Sequence, residues 1–178
     1  MKGWIFVTDN KKRWIRSVLQ ILGIAALIGL DQLLKILVEQ KLKGSGPRVL
    51  IPGFLGLCYA ENTGAAFSLF ASSTAALTAI TGVALLGGLI ALIAIKQKPL
   101  VYDICVPLII AGGAGNQLDR LTRGYVIDYI QTLFMDFPIF NFADCLITCA
   151  CFAIIIYLIY EIVTDGKKKN AAKETPDD

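Results

Sequence analysis

The sequence predicts an all-α membrane protein with four transmembrane helices and a small extracytoplasmic β-containing segment. Hydrophobic residues make up 56% of the 178 residues, and the mean hydropathy is +0.64. A soluble domain of ordinary composition is much less apolar. Four apolar runs also have the length of about 20 residues that a helix needs to cross a bilayer. The predicted spans are roughly Val18–Val38, Thr74–Ile95, Leu100–Leu118 and Phe142–Val163.

Basic residues predict how these spans are oriented. With both termini in the cytoplasm, eleven Lys and Arg residues lie in the inside segments and five in the outside ones. Cytoplasmic loops carry an excess of such residues, so this orientation is favoured. The same rule accounts for the net charge of +3, and no nucleic-acid partner is expected. The first run is too long for a cleavable signal peptide, and it contains Asp31 and Lys35.

The spans leave room for one domain only. We expect residues 1–166 to form a four-helix membrane domain and residues 167–178 to form a charged, disordered cytoplasmic tail. In the first span, Asp31 and Lys35 lie four positions apart and therefore share a helix face. Two compatible interpretations follow: a structural ion pair that fixes the helix in the bundle, or a pair that orients a nearby site.

The first outer segment, residues 39–73, has the turn signals Gly44-Ser-Gly-Pro47 and Pro52-Gly53. Residues 49–51 and 56–60 are predicted as short strands of a small sheet on the membrane surface. Its last part is Glu61-Asn-Thr-Gly-Ala-Ala-Phe-Ser68, which contains the tripeptide Asn62-Thr-Gly64. Asn62 and Gly64 are candidates to present polar groups to a ligand, although this tripeptide alone is typical of a simple turn.

The third span ends in Gly112-Gly-Ala-Gly115, which favours close helix packing. Asn116, Asp119 and Arg120 are then expected to emerge on the outer side. A second outer segment, about 121–141, leads to the fourth span, for which Asn141 is the predicted N-cap. Asp144 stands in the position of a capping box, so it either caps this helix or serves a site.

The chain contains no histidine, which excludes His-dependent nucleophiles, bases and zinc sites. Its cysteines are odd in number and form no CxxC pair, so we expect buried free thiols and neither metal nor cofactor. They are Cys58, Cys105, Cys145, Cys149 and Cys151. Carboxylates therefore remain as the carriers of acid–base chemistry. A carboxylate at a membrane boundary is costly and is usually functional.

Asp128 and Asp144 cannot share one helix face, because Pro138 interrupts the chain between them. A loop return could place them side by side, and two facing carboxylates share one proton. One then activates water while the other protonates a substrate carbonyl. An alternative pairs Ser68 with Lys35, but Asp31 would keep that lysine protonated. A proton-coupled transporter is the other alternative, and it would thread polar residues across both leaflets.

Five polar-containing blocks follow one another along the chain: Asp31-Gln-Leu-Leu-Lys35, Asn62-Thr-Gly-Ala-Ala-Phe-Ser68, Gly115-Asn-Gln-Leu-Asp-Arg120, Val126-Ile-Asp-Tyr-Ile130 and Phe137-Pro-Ile-Phe-Asn-Phe-Ala-Asp144. In this order they resemble the lipoprotein signal peptidase family, also called signal peptidase II, and the resemblance runs from the first span to the end of the fourth. The resemblance implies that Asp128 and Asp144 form a catalytic dyad. It implies that further residues line or support the site, namely Asp31, Lys35, Asn62, Gly64, Asn116, Asp119, Arg120, Asn141 and Ala143.

The resemblance also implies a substrate and an inhibitor. The family cleaves prolipoproteins just before a diacylglyceryl-modified cysteine, in contact with membrane lipid, and it is inhibited by globomycin. Its site would lie near the outer face of the bacterial plasma membrane. Tyr129 stands where the family commonly has phenylalanine, and Cys145 stands where serine is frequent. Neither change replaces a charged group.

Overall fold

The computed structural model describes residues 3–64, 74–94 and 99–173. In chain order the elements are α1 (Gly3–Leu42), β1 (Arg48–Ile51), β2 (Leu55–Asn62), α2 (Thr74–Ala94), α3 (Leu100–Arg123), β3 (Val126–Thr132) and α4 (Phe142–Lys173). Within these residues, three stretches are long and apolar enough to cross a membrane: Lys11–Leu42, Ala75–Leu92 and Phe142–Asp165. The protein is therefore mostly helical, with one small sheet.

Helix α3 is more polar than these three stretches, and it packs against all three other helices. Its glycines make that packing possible. A Cβ atom on Gly112 would collide with the carbonyl oxygen of Ala143 in α4, and one on Gly115 would lie 2.5 Å from Asp31 Oδ2 in α1. The small-residue prediction is thus confirmed, and these glycines let α3 occupy the centre of the bundle.

The three strands form an antiparallel sheet in the order β1-β2-β3. Strands β1 and β2 confirm the two predicted strands, whereas β3 was not predicted. Residues 126–129 of β3 are all buried, so the strand lacks the apolar–polar alternation that reveals a half-exposed strand. Pairing sets Asp128 opposite Ala60 and Val126 opposite Asn62, which brings two predicted site segments together.

Helices α1, α3 and α4 run further than the apolar runs predicted. Helix α1 begins at Gly3, before the predicted start of the first span at Val18, and α3 continues to Arg123, so Asn116, Asp119 and Arg120 lie within it. Helix α4 reaches Lys173, so the start of the tail is helical where disorder was predicted. An apolar run marks the depth of a bilayer, and a helix continues past it wherever its polar residues tolerate helical geometry. Residues 174–178 lie outside the described chain.

Two apolar cores hold the elements together. Ile24, Leu92, Ile110 and Ala111 pack between the helices. The second core joins Val38 and Leu42 of α1 to Ile127 and Tyr129 of β3. The sheet is therefore anchored on the C-terminal part of α1. We call the end of the bundle that carries the sheet the sheet end. The end that carries the N-terminal part of α1 is called the opposite end.

The thiols follow the prediction only in part. Cys58 and Cys105 are buried and Cys145 is half-buried, but Cys149 and Cys151 are exposed, and all five are free. The expectation of burial was wrong for these last two cysteines because they lie on a face of α4 that no other described element covers. Such a face is compatible with a lipid environment.

Candidate active site

A buried lysine lies at the centre of the site. The ammonium group of Lys35, on α1, lies 2.8 Å from Asp31 Oδ2 and 2.9 Å from Asp119 Oδ2. It also donates to Asn116 Oδ1 at 2.9 Å. These partners match the three N–H groups of an ammonium ion. The predicted Asp31–Lys35 pair is confirmed, and Lys35 has the partners of a charged lysine, which argues against a role as the base of Ser68. Ser68 itself lies outside the described residues.

The first carboxylate of this cluster fixes the strand that carries Asp128. Asp119 belongs to α3, and its Oδ2 atom accepts a hydrogen bond from the backbone N–H of Ile127 at 3.2 Å. Ile127 directly precedes Asp128 in β3. The ion pair with Lys35 therefore holds the backbone one residue before a predicted catalytic carboxylate, and Asp128 is itself buried.

The second carboxylate does the same for Asp144. Asp31 Oδ1 accepts the backbone N–H of Ala143 at 3.2 Å, one residue before Asp144. Asn141 Oδ1 accepts the Asp144 N–H at 3.0 Å, and Asp144 Oδ2 accepts the Asn141 N–H at 3.0 Å. This reciprocal pair confirms the predicted N-cap and capping box. The N-terminus of α4 therefore holds the Asp144 carboxylate in a fixed position.

Two asparagines connect the aspartates with each other. Asn116 Nδ2 donates to Asp144 Oδ1 at 2.8 Å, while Asn141 Nδ2 donates to Asp128 Oδ1 at 2.6 Å. The same Asn141 amide also lies 3.1 Å from Asn116 Oδ1. Asp144 thus has a hydrogen-bond partner beyond its cap, and both aspartates belong to one hydrogen-bonded cluster.

The end of β2 closes the other side of Asp128. Asn62 Nδ2 donates to Asp128 Oδ2 at 2.8 Å, and Asn62 Oδ1 accepts the N–H of Gly64 at 2.9 Å. Arg120 of α3 donates to the Gly64 carbonyl oxygen at 3.3 Å. Asn62 therefore forms the turn and also contacts Asp128, and its role toward a ligand stays a prediction. Arg120 reaches the turn and, within the described residues, forms no ion pair with either aspartate.

Burial raises the pKa of Asp128 to about 6, and the neighbouring charge of Asp144 adds to the shift. Hydrogen bonds from Asn62 and Asn141 act in the opposite direction because they stabilise the carboxylate. The folded-state pKa lies above the ordinary value of 3.8, so ionisation of Asp128 destabilises the fold as the pH rises from about 3.8 to about 6. Asp128 therefore keeps its proton to a higher pH than an ordinary aspartate does.

One supporting residue was missed in the sequence. Gln32 donates through Nε2 to Asp31, to Asp119 and to the carbonyl oxygen of Gly115, at 3.1–3.2 Å. Its position next to Asp31 in the sequence could have indicated that it belongs to the same cluster. In the described part of the chain, no group of three or more His, Cys, Asp or Glu side chains is arranged to hold a metal ion.

The family model for signal peptidase II matches residues 23–160, which include every residue of this cluster. The chain belongs to the signal peptidase II family. Among its relatives, the lipoprotein signal peptidase of Enterococcus faecalis is 38% identical and aligns over 82% of this chain and 91% of its own length. That of Streptococcus pneumoniae is 36% identical, with 85% and 96% covered.

Solved structures agree with this membership of the signal peptidase II family. One bacterial membrane enzyme superposes with a TM-score of 0.72 at 28% identity, over 89% of this chain and 93% of the other. A second gives a TM-score of 0.69 at 32% identity, with 78% and 91% covered. The family match makes the chain a peptidase, and the apolar helices together with these membrane-enzyme likenesses support a protein that crosses the membrane more than once.

Proposed function

We propose that this chain is an aspartic endopeptidase that removes signal peptides from diacylglyceryl-modified prolipoproteins by cleaving before the lipidated cysteine. Membership of the signal peptidase II family supports the substrate class, and two of the relatives above are called lipoprotein signal peptidase. The observation that carries the aspartic mechanism is the joining of Asp128 and Asp144 through Asn116 and Asn141. Carboxylate pairs of this kind share a proton and need no metal or cofactor.

In the proposed reaction, Asp128 holds the proton and Asp144 is the base. Asp144 takes a proton from water as the water oxygen bonds to the scissile carbonyl carbon, and Asp128 donates its proton to the carbonyl oxygen. The resulting diol collapses: the C–N bond breaks, the leaving nitrogen takes the proton held by Asp144, and Asp128 regains its own. The raised pKa of Asp128 and the helix N-terminus at Asp144 support this division of roles.

The remaining assigned residues position this pair. Asp31, Lys35 and Asp119 hold the backbone before each aspartate, Ala143 supplies one of the N–H groups concerned, and Asn62, Gly64 and Arg120 form the turn beside Asp128. A positioning shell of this kind keeps reacting groups within the small tolerance that proton transfer allows. Globomycin-type peptides are expected to inhibit by occupying the same site.

For the membrane arrangement we propose four spans, in which α3 joins the three apolar stretches found above. Both termini are then in the cytoplasm and the sheet end is outside. Surrounding helices shield the polar residues of α3 from lipid, as intramembrane polar groups require. The predicted tail boundary at residue 166 belongs to the same proposal. Cys58 is a poor reporter of sidedness because it is buried and its burial raises the pKa of its thiol.

Exposed positions test this orientation better. In a cysteine-free variant, Ser45→Cys at the sheet end should react with an impermeant maleimide added outside intact cells. Lys11→Cys at the opposite end should react only after the cells are opened. Both side chains are exposed. The reverse pattern would invert the orientation and place the cluster at the cytoplasmic face.

The substrate test compares two precursors with identical peptide sequences in lipid. The precursor with two acyl chains on its cysteine should be cut, and the unmodified precursor should be cut poorly or not at all. Each buried methylene contributes about 0.8 kcal/mol to membrane anchoring, and that binding energy can position the scissile bond. Equal cleavage of both precursors would contradict the lipid requirement and leave a general membrane peptidase.

A further inference from the structure

A second concave feature lies at the opposite end of the bundle, away from the aspartates. There α1 and α3 border an open groove of about 500 Å³. Its walls are largely apolar and include Ile15, Leu19 and Ile104, while Lys12 and Arg16 bring basic groups to it. The groove shares no lining residue with the Lys35 cluster, so the peptidase reaction does not account for it.

The groove has a local structural origin. Pro107 in α3 has no N–H to donate to the carbonyl oxygen of Asp103, and Gln20 of α1 donates to that oxygen instead at 2.9 Å. Arg16 Nη1 lies 2.9 Å from Asp103 Oδ2. These contacts tie the two helices together along the groove. A Cβ atom added to Gly23 would meet nothing within 4 Å, so this glycine leaves the deeper part open.

The charges on the groove favour an anion. Lys12 and Arg16 supply two positive charges against the one negative charge of Asp103. Two further basic residues, Lys11 and Arg13, lie on either side of Lys12 in α1. Asp103 holds the Arg16 guanidinium at the groove, where its planar donor fork can bind phosphate. Basic residues beside a span attract the anionic headgroups of the neighbouring leaflet.

The length of the groove fits a lipid. From Lys12 to Gly23 a helix rises about 16 Å, which is close to one leaflet of a hydrocarbon core about 30 Å thick. The groove therefore offers basic groups at one end and apolar walls along its depth. We propose that it binds an anionic glycerophospholipid, with the phosphate at Lys12 and Arg16 and an acyl chain against Ile15, Leu19 and Ile104. A free phosphate ion could use the charges but would leave the apolar walls unused.

A tryptophan reporter tests the proposal. The chain has two tryptophans, Trp4 and Trp14, and replacing both with Phe leaves a silent background. Leu19→Trp then reports from the groove, and Leu22→Trp, also exposed but outside the groove lining, is its matched control. Each variant is placed in phosphatidylcholine nanodiscs with increasing brominated phosphatidylglycerol or brominated phosphatidylcholine. Both leaflets are accessible, so the result does not depend on the proposed orientation or on the peptidase mechanism.

Half-maximal quenching at position 19 should need at least threefold less brominated phosphatidylglycerol than brominated phosphatidylcholine, whereas position 22 should show no preference. Equal quenching of position 19 by the two lipids would overturn the proposal. So would an effect of inorganic phosphate on the fluorescence of position 19 without any difference between the two lipids, which would indicate a simple anion site.

A charge-matched pair of variants separates a site from general surface attraction. Lys12→Gln should abolish the preference at position 19, and Lys11→Gln should leave it intact, because only Lys12 lines the groove. Equal loss in both variants would show that the basic segment only concentrates anionic lipid near the surface. Filling the groove gives a second check: Gly23→Leu should remove the preference, while Gly29→Leu, at another open glycine, should keep it. Retention in Gly23→Leu would overturn the placement of the acyl chain.

Discussion

The two ends of the bundle contain ion pairs of the same length in opposite surroundings. At the sheet end, Lys35 lies 2.8 Å from Asp31 and 2.9 Å from Asp119, and these side chains are at most 1% exposed. At the opposite end, Arg16 lies 2.9 Å from Asp103, with exposures of 37% and 11%. The distances therefore do not show which ion pair matters more for stability, whereas the burial of the side chains does. A buried charge that loses its partner is left without solvent to replace it, whereas an exposed one recovers water.

The difference also separates two uses of charge in one protein. Around Lys35, the backbone N–H groups before Asp128 and Asp144 are hydrogen-bonded to the lysine's own carboxylate partners. A positional error there would be transmitted to both aspartates. Around Arg16 the contacts border an open groove that Lys12 also lines. We expect the first region to govern stability and turnover, and the second to govern what binds at the surface.

The largest expected difference between the ends concerns cleavage. Asp128→Asn and Asp144→Asn should each lower turnover by about 10²–10⁴-fold or more, because an amide cannot exchange the proton that acid–base catalysis requires. Asp103→Asn, the matched change at the opposite end, should keep most of the activity. The measurement is the rate of signal-peptide release from a lipidated precursor. Near-normal turnover in either dyad variant would remove that aspartate from the mechanism.

The next expected difference concerns stability. Lys35→Met leaves two buried carboxylates without their cation and should lower the free energy of unfolding by about 3–5 kcal/mol. Arg16→Gln removes a partly exposed ion pair and should cost about 0–1 kcal/mol. Thermal unfolding of both variants in the same detergent gives the comparison. Similar losses in the two variants would show that burial does not distinguish the two ends.

Much of the Lys35 region was predictable because its signals are local. The spacing of Asp31 and Lys35 predicts their pair, and Asn141 followed by Asp144 predicts the cap; both predictions are confirmed. The link from Asp119 to Ile127 was not predictable, because it depends on β3, a strand without alternation. The extent of the helices was also missed, since hydropathy reports membrane depth and not helix ends.

The groove at the opposite end was missed for a related reason. Arg16 and Asp103 are far apart in the chain, and each has an adequate explanation as an interfacial charge. Pro107 was a signal, because a proline within a helix leaves a carbonyl oxygen that needs another donor. Only the packing of α1 against α3 identifies Gln20 as that donor.

Within the sheet end, two arginines of α3 sharpen the comparison further. Arg120 is half-buried and donates to Gly64 beside the dyad, while Arg123 pairs with Glu39 of α1 at 2.6 Å. Arg120→Lys keeps the charge and loses the donor fork, so we expect kcat/KM to fall about tenfold, equivalent to about 1.4 kcal/mol. Arg123→Lys should leave kcat/KM close to that of the parent. Equal effects would make Arg120 an ordinary structural charge of the helix.

The smallest expected effect is a shift in pH dependence, and it tests which aspartate holds the proton. If Asp128 must be protonated, kcat falls as the pH rises through its pKa of about 6. Asn62 donates to the Asp128 carboxylate at 2.8 Å and so stabilises the charged form. Asn62→Ala should therefore raise the pKa of Asp128. The alkaline limb of the plot of kcat against pH should then move to higher pH by about one unit, which corresponds to about 1.4 kcal/mol.

Gln131→Ala provides the control for this shift, because Gln131 lies on the same strand as Asp128 and makes no hydrogen bond to either aspartate in the part of the chain that the structure describes. Its alkaline limb should match that of the parent. A purely structural role for Asn62 would lower kcat at every pH without moving the limb. A shift toward lower pH would contradict the assignment of the proton to Asp128, because losing a donor to a carboxylate can only make that carboxylate harder to ionise.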